Sequence, residues 1–160
     1  MRLFLLLFLS IYGTAHAYLL LRLKWAFPRM RTGWYVAIVW CLLMMAAPIA
    51  TRLLERGGQI ASATAVAWVG YVWMGFLFLF VATSVALELL RLLRWLAHFF
   101  VPIARPDLLS PRPFFLFCVL TAMLITWYGY FEASHLTVEQ TTVTTTKLPK
   151  GSKPIRIVQI

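Results

Sequence analysis

The chain has 160 residues, of which 62% are hydrophobic and only 12% are charged. This composition excludes an ordinary soluble globular domain and indicates an integral membrane protein. Lys and Arg number 15 against 5 Asp and Glu, for a formal net charge of +10. In a membrane protein such an excess belongs to loops that face anionic lipid, so we expect no nucleic-acid partner.

The first predicted element is a membrane span over residues 3–21. The run contains no Asp, Glu, Lys or Arg and approaches the ~20 residues that cross ~30 Å of hydrocarbon as a helix. A cleaved signal peptide is the alternative, because Ala15-His16-Ala17 resembles a signal-peptidase site. The apolar run continues past that site to Arg22, however, and the positive cluster follows the run. We therefore predict a retained span.

Three further spans are predicted over 33–51, 62–87 and 113–131, from apolar runs that are free of charged residues. Pro48, near the end of the second span, predicts a kink of the kind that membrane helices tolerate. After the third span the helical pattern continues, with polar residues on one face and leucines on the others. This pattern predicts an interfacial helix over about 88–100, on the inner membrane surface.

A few side chains inside the spans are candidates for chemistry. His16 is one, because an ionisable residue at membrane depth is a functional candidate by default. It is only ~9 Å from Arg22 at helical rise, so a hydrogen bond to a neighbouring helix or to interfacial water is the favoured interpretation. Gly13 is small enough to allow close helix contact. Cys41 and Cys118 lack CxxC spacing, which is typical of buried structural thiols.

Basic residues predict the orientation of the spans. Residues 22–31 and 88–112 hold four Lys or Arg each, whereas the opposite side has only Arg2, Arg52 and Arg56 close to the membrane. Because positively charged loops stay in the cytoplasm, the first and third loops are predicted there. Both termini are then predicted on the outer face of a bacterial cytoplasmic (inner) membrane.

Outside the hydrocarbon, two pairs of polar residues stand out. Glu88 and Arg91 are spaced i, i+3 at the inner interface, which predicts an ion pair on the helix surface. Glu132 and His135 follow the fourth span and are interpreted as linker, since no partner set for a metal is visible. We therefore assign no catalytic, cofactor-binding or metal-binding residue within the chain.

The composition changes at Glu132. Residues 136–146 are rich in β-branched types and predict an extended strand, and a second strand is predicted over 155–160. Two strands alone are only marginally stable, and an apolar strand at a chain end exposes both of its edges. We therefore interpret 132–160 as a linker and the first strands of a truncated domain. A disordered Thr-rich tail is the alternative.

The hexapeptide Ile-Arg-Ile-Val-Gln-Ile, Ile155 to Ile160, resembles a strand at the start of a calcineurin-like metallophosphoesterase domain. In the membrane-bound bacterial branch of that family, such a strand follows several spans, a β-branched strand and a Pro-containing loop. Tyr12-Gly13, His16 and Tyr18 also resemble the anchors of that branch. In the family, Ser-Asp-x-His comes next and its Asp and His bind metal. The resemblance implies a hydrolase domain with two divalent metal ions, none of whose family ligands falls on a residue of this chain.

The expected fold class is therefore all-α membrane: four transmembrane helices over 1–131, followed by the first two β-strands of a truncated α/β domain over 132–160. The expected function is that of a membrane anchor for a metal-dependent phosphoesterase. Its expected partners are the lipid bilayer and a phosphate-ester or lipid substrate of the truncated domain. The 160 residues themselves are expected to lack the catalytic site. The alternative is a self-contained four-span scaffold, assembly factor or transport subunit without enzymatic activity.

Overall fold

Four α-helices account for almost all of the residues that the computed structural model describes, which are 2–98 and 110–135. Each helix is long and apolar enough to cross a membrane. A helix satisfies its backbone hydrogen bonds internally, and apolar side chains suit hydrocarbon. The chain is therefore a multi-pass membrane protein. The helices are α1 (Arg2–Ala26), α2 (Arg31–Arg56), α3 (Ile60–His98) and α4 (Pro111–Ser134).

The predicted fold class is wrong in its second part. It adds the first two strands of an α/β domain, whereas the described residues form four helices and no strand. The segments for which the sequence predicts strands, 136–146 and 155–160, lie outside the described residues. The error follows from relying on β-branched composition, because β-propensity depends on neighbouring strands and burial more than on the local residues.

The helices extend beyond the predicted spans. The helix α3 has 39 residues and covers both the third predicted span and the predicted interfacial helix as far as His98. At ~1.5 Å per residue it is ~58 Å long, nearly twice the thickness of the hydrocarbon core. The described part of the chain thus has one uninterrupted helix where the sequence predicts two elements. The turn before α3 uses Gly58, whose φ of 75° is readily adopted only without a Cβ.

The four helices pack around a shared diagonal formed by α1 and α3. Both contact the other three helices, whereas α2 and α4 lie on opposite sides of that diagonal. The pair α2 and α3 approaches closely at Gly70, where an added Cβ would lie 3.0 Å from the Cβ of Ala47. Small residues at such a contact allow the dense packing that holds helices together in lipid. On the other side of α3, Phe80 and Phe114 are completely or almost completely buried.

The outer surface of the bundle is apolar. Large exposed hydrophobic side chains occur on every helix, for example Leu6, Leu43, Phe78 and Leu124. In water such a surface would be an aggregation hazard, whereas in a bilayer it is the surface that meets the acyl chains. The polar side chains that are buried between the helices therefore form the candidate sites.

Candidate functional site

The first group of polar side chains between the helices is the His16 cluster, formed by Tyr12, His16 and Trp73. His16 is only 3% exposed. Its Nδ1 lies 2.8 Å from the backbone oxygen of Tyr12, and Trp73 on α3 donates its indole N–H to Nε2 over 3.0 Å. Because a carbonyl oxygen only accepts, the ring proton lies on Nδ1 and the Nε2 lone pair accepts from the indole. A neutral imidazole thus uses both nitrogens, and neither remains for a metal or a substrate.

Tyr12 connects the same cluster to α2. Pro48 lies inside α2 and has no N–H, so the carbonyl of Met44, four residues earlier, lacks its helical partner. The hydroxyl of Tyr12 lies 3.4 Å from that oxygen and donates to it over a long hydrogen bond. A neighbouring helix that satisfies a carbonyl freed by proline is what makes proline tolerable in a membrane helix.

Aromatic rings pack around the His16 cluster. The ring of Tyr12 meets the imidazole of His16 edge-on at 4.4 Å and stacks on Phe8 at 5.6 Å. Trp40 packs edge-on against Trp73 at 5.7 Å. These contacts fix the rings whose N–H and O–H groups make the interhelical bonds. The cluster therefore connects α1, α2 and α3 through polar groups that lie among aromatic rings.

The second group is the Glu88 cluster, formed by Arg22, Glu88, Arg91 and Phe114. The sequence predicts the pair of Glu88 and Arg91, and the structure confirms it at 3.2 Å. Arg22 of α1 also donates to the same carboxylate oxygen, a contact across helices that sequence spacing does not reveal. Both guanidinium groups lie over the ring of Phe114, at 4.6 and 4.5 Å from its centroid. One carboxylate and one ring thus bring together α1, α3 and α4.

The Glu88 cluster lies at the end of the bundle where basic residues concentrate. Arg112, near the start of α4, donates its Nε–H to the oxygen of Ala26 at the end of α1 over 3.0 Å, so the two helix ends adjoin. Among the described residues, one carboxylate and seven cations belong to this basic end. They are Glu88 and Arg22, Lys24, Arg29, Arg31, Arg91, Arg94 and Arg112.

The remaining candidate residues do not come together. Glu132 and His135 are both exposed at the end of α4, where the Nδ1 of His135 lies 2.8 Å from the oxygen of Phe131. Cys41 and Cys118 are free and buried on different helices, as the sequence predicts. No three metal-ligating side chains gather within the described ranges. Of the cluster residues, sequence reasoning missed Trp73 and Phe114, because an aromatic side chain in an apolar run gives no signal.

Comparisons with protein-family models, with curated proteins and with solved structures find no match to this chain. The fold and the two clusters define the class of protein, a multi-pass helical membrane protein with polar contacts between its helices.

Proposed function

We propose that the chain is the membrane anchor of a metal-dependent phosphoesterase. Two features support the proposal: four apolar helices with a lipid-compatible outer surface, and the resemblance of Ile155–Ile160 to a strand at the start of the calcineurin-like domain. The resemblance is the observation that carries it. The helices would hold a hydrolase domain, reached through the segment after α4, at the membrane surface.

The charge distribution supports an orientation for this anchor. The basic end carries seven described cations against one carboxylate, whereas the opposite end carries Arg2, Arg52 and Arg56 together with Glu55 and Glu132. With the basic end in the cytoplasm, α4 carries the chain outward over ~36 Å at helical rise. The segment after Ser134 then starts at the outer face of a bacterial cytoplasmic membrane, with both termini on that face.

Both clusters fit an anchor because they hold helices together. The His16 cluster leaves no free ring nitrogen, and the carboxylate of Glu88 is occupied by two arginines. The described residues bring together no ligand set for the two divalent metals that the resemblance implies. We therefore assign those metals, and the hydrolysis they would support, to a domain outside these helices.

The reading frame downstream of the codon for Ile160 tests the proposal directly. We expect it to continue with Ser-Asp-x-His and later His and Asn ligands. A stop codon at that point would overturn the proposal and favour the alternative of a self-contained scaffold, assembly factor or transport subunit. Expressed alone with added Mn²⁺, the 160 residues should not hydrolyse a phosphodiester, and clear turnover would contradict the assignment.

The orientation is tested separately, with reporters fused after Thr146. Alkaline phosphatase folds only outside the cytoplasm, so we expect an active phosphatase fusion and an inactive cytoplasmic reporter. The opposite pattern would invert the orientation without affecting the other parts of the proposal.

A further inference from the structure

A cleft opens at the basic end, between the end of α1 and the start of α2. Its volume is about 330 Å³, enough for a headgroup-sized ligand. The lining combines two cations, two aromatic rings of the interfacial type and an apolar wall. The residues that carry these properties are Lys24, Arg31, Trp34, Tyr35, Leu23 and Phe27.

Among the described residues, no carboxylate neutralises the two cations of the cleft. Lys24 and Arg31 are both exposed, and neither has a carboxylate within ion-pair distance among the described residues. Glu88, the one described carboxylate at this end of the bundle, is shared by two other arginines. The Nζ of Lys24 lies 5.8 Å from the ring centroid of Trp34, and this cation–π contact directs the ammonium group toward the cleft.

The position of the cleft matches the headgroup layer of a bilayer. Lys24 lies in the last turn of α1 and Arg31 is the first residue of α2, so both cations lie at the ends of spans. Trp34 and Tyr35 are the fourth and fifth residues of α2, and amphipathic rings of this kind concentrate where hydrocarbon meets headgroups. Leu23 and Phe27 supply the apolar part of the lining.

We infer that this cleft binds an anionic phospholipid. The headgroup phosphate contacts Lys24 and Arg31, and the glycerol and first methylenes lie against Phe27 and Trp34. Basic pockets between membrane helices recognise anionic headgroups in this way. A zwitterionic lipid would place its own ammonium group beside two cations and bind more weakly. The inference does not depend on the proposed function, since it requires only that the basic end meets a headgroup layer.

The test measures lipid binding to the purified 160-residue chain in detergent by native mass spectrometry. The probes are phosphatidylglycerol and phosphatidylcholine with identical acyl chains. We expect phosphatidylglycerol to bind about 25-fold more tightly, roughly fivefold for each of the two cations. The double variant K24Q/R31Q should lose most of that preference, and the charge-conserving variant K24R/R31K should retain it.

The matched control is R52Q/R56Q, which removes two cations from the opposite end of the bundle and should leave the preference unchanged. An equal loss in both neutralised variants would mean unspecific attraction by net charge and would overturn the inference. An undiminished preference in K24Q/R31Q would overturn it as well. Millimolar inorganic phosphate should not displace the lipid; displacement would assign the cleft to a soluble anion instead.

Discussion

Trp73→Phe tests the interhelical bond of the His16 cluster. The substitution keeps an aromatic ring on α3 and removes the indole N–H that donates to Nε2 of His16. The imidazole cannot turn to find another donor, because its Nδ1 is committed to the oxygen of Tyr12. Its Nε2 then remains buried without a hydrogen-bond partner.

The expected loss follows from two estimates. A buried acceptor without a partner costs about 1–3 kcal/mol in soluble proteins, whereas hydrogen bonds between membrane helices average about 0.6 kcal/mol and reach about 1.7. The smaller phenyl ring also keeps only part of the packing that the indole of Trp73 makes against Trp40. We therefore expect Trp73→Phe to lower the free energy of unfolding by about 1–2 kcal/mol.

The assay is reversible unfolding in mixed micelles of mild detergent and dodecyl sulfate, followed by circular dichroism. The control is Trp68→Phe on the same helix, where the indole is 59% exposed and its loss should change little. A double-mutant cycle with His16→Leu isolates the pair, with an expected coupling of about 0.6–1.7 kcal/mol. Equal stability of both tryptophan variants, or a coupling near zero, would refute the reasoning.

Three further predictions concern contacts between helices and use the same unfolding measurement. Tyr12→Phe should cost about 0.5–1 kcal/mol, and less in a Pro48→Ala background, where the restored N–H serves the carbonyl that Tyr12 otherwise satisfies. Gly70→Leu should cost about 1–3 kcal/mol, because its side chain enters the contact between α2 and α3. Glu88→Gln should cost about 1–3 kcal/mol, because Arg22, whose side chain is only 14% exposed, loses its charged partner.

Controls for these variants are available within the chain. A Cβ added at Gly75 would have no atom within 4 Å, so Gly75→Leu should be tolerated. If it lowers the free energy of unfolding as much as Gly70→Leu does, the close approach of α2 and α3 at Gly70 is contradicted. Glu55 is exposed at the opposite end, so Glu55→Gln should be nearly neutral. If Tyr12→Phe lowers the free energy of unfolding equally in the wild-type and Pro48→Ala backgrounds, the Tyr12 hydroxyl does not compensate for Pro48.

Local sequence rules predict the helices well and the contacts between them poorly. The spans can be predicted from runs without charged residues, because in lipid each such run must satisfy its own backbone hydrogen bonds and so forms a helix. The pair of Glu88 and Arg91 follows from i, i+3 spacing. Arg22 joins that pair from a position 66 residues away, and no periodicity encodes such a distance. The sequence also predicts a kink at Pro48 without indicating which side chain serves the carbonyl that it frees.

The fold class that includes β-strands is wrong, and the reason is that a strand depends on neighbouring strands. An apolar run of helix length needs nothing outside itself to satisfy its backbone in lipid, whereas a β-branched run needs a second strand beside it. A helix in a membrane can therefore be predicted from its own residues. A strand cannot, and the segments 136–146 and 155–160 supply at most one such pair.

The contacts of α1 explain how an apolar bundle acquires a specific arrangement. Acyl chains are as apolar as leucine, so burial alone does not select one helix pairing over another. Four interhelical hydrogen bonds with a partner on α1 supply that selection, reaching Met44 on α2, Trp73 and Glu88 on α3, and Arg112 on α4. A chain cut after Ala17 would lose the first two of these bonds, leaving an indole N–H and a proline-freed carbonyl unpaired in hydrocarbon. The same residues that suggest a signal peptide in the sequence therefore connect α1 to the rest of the bundle.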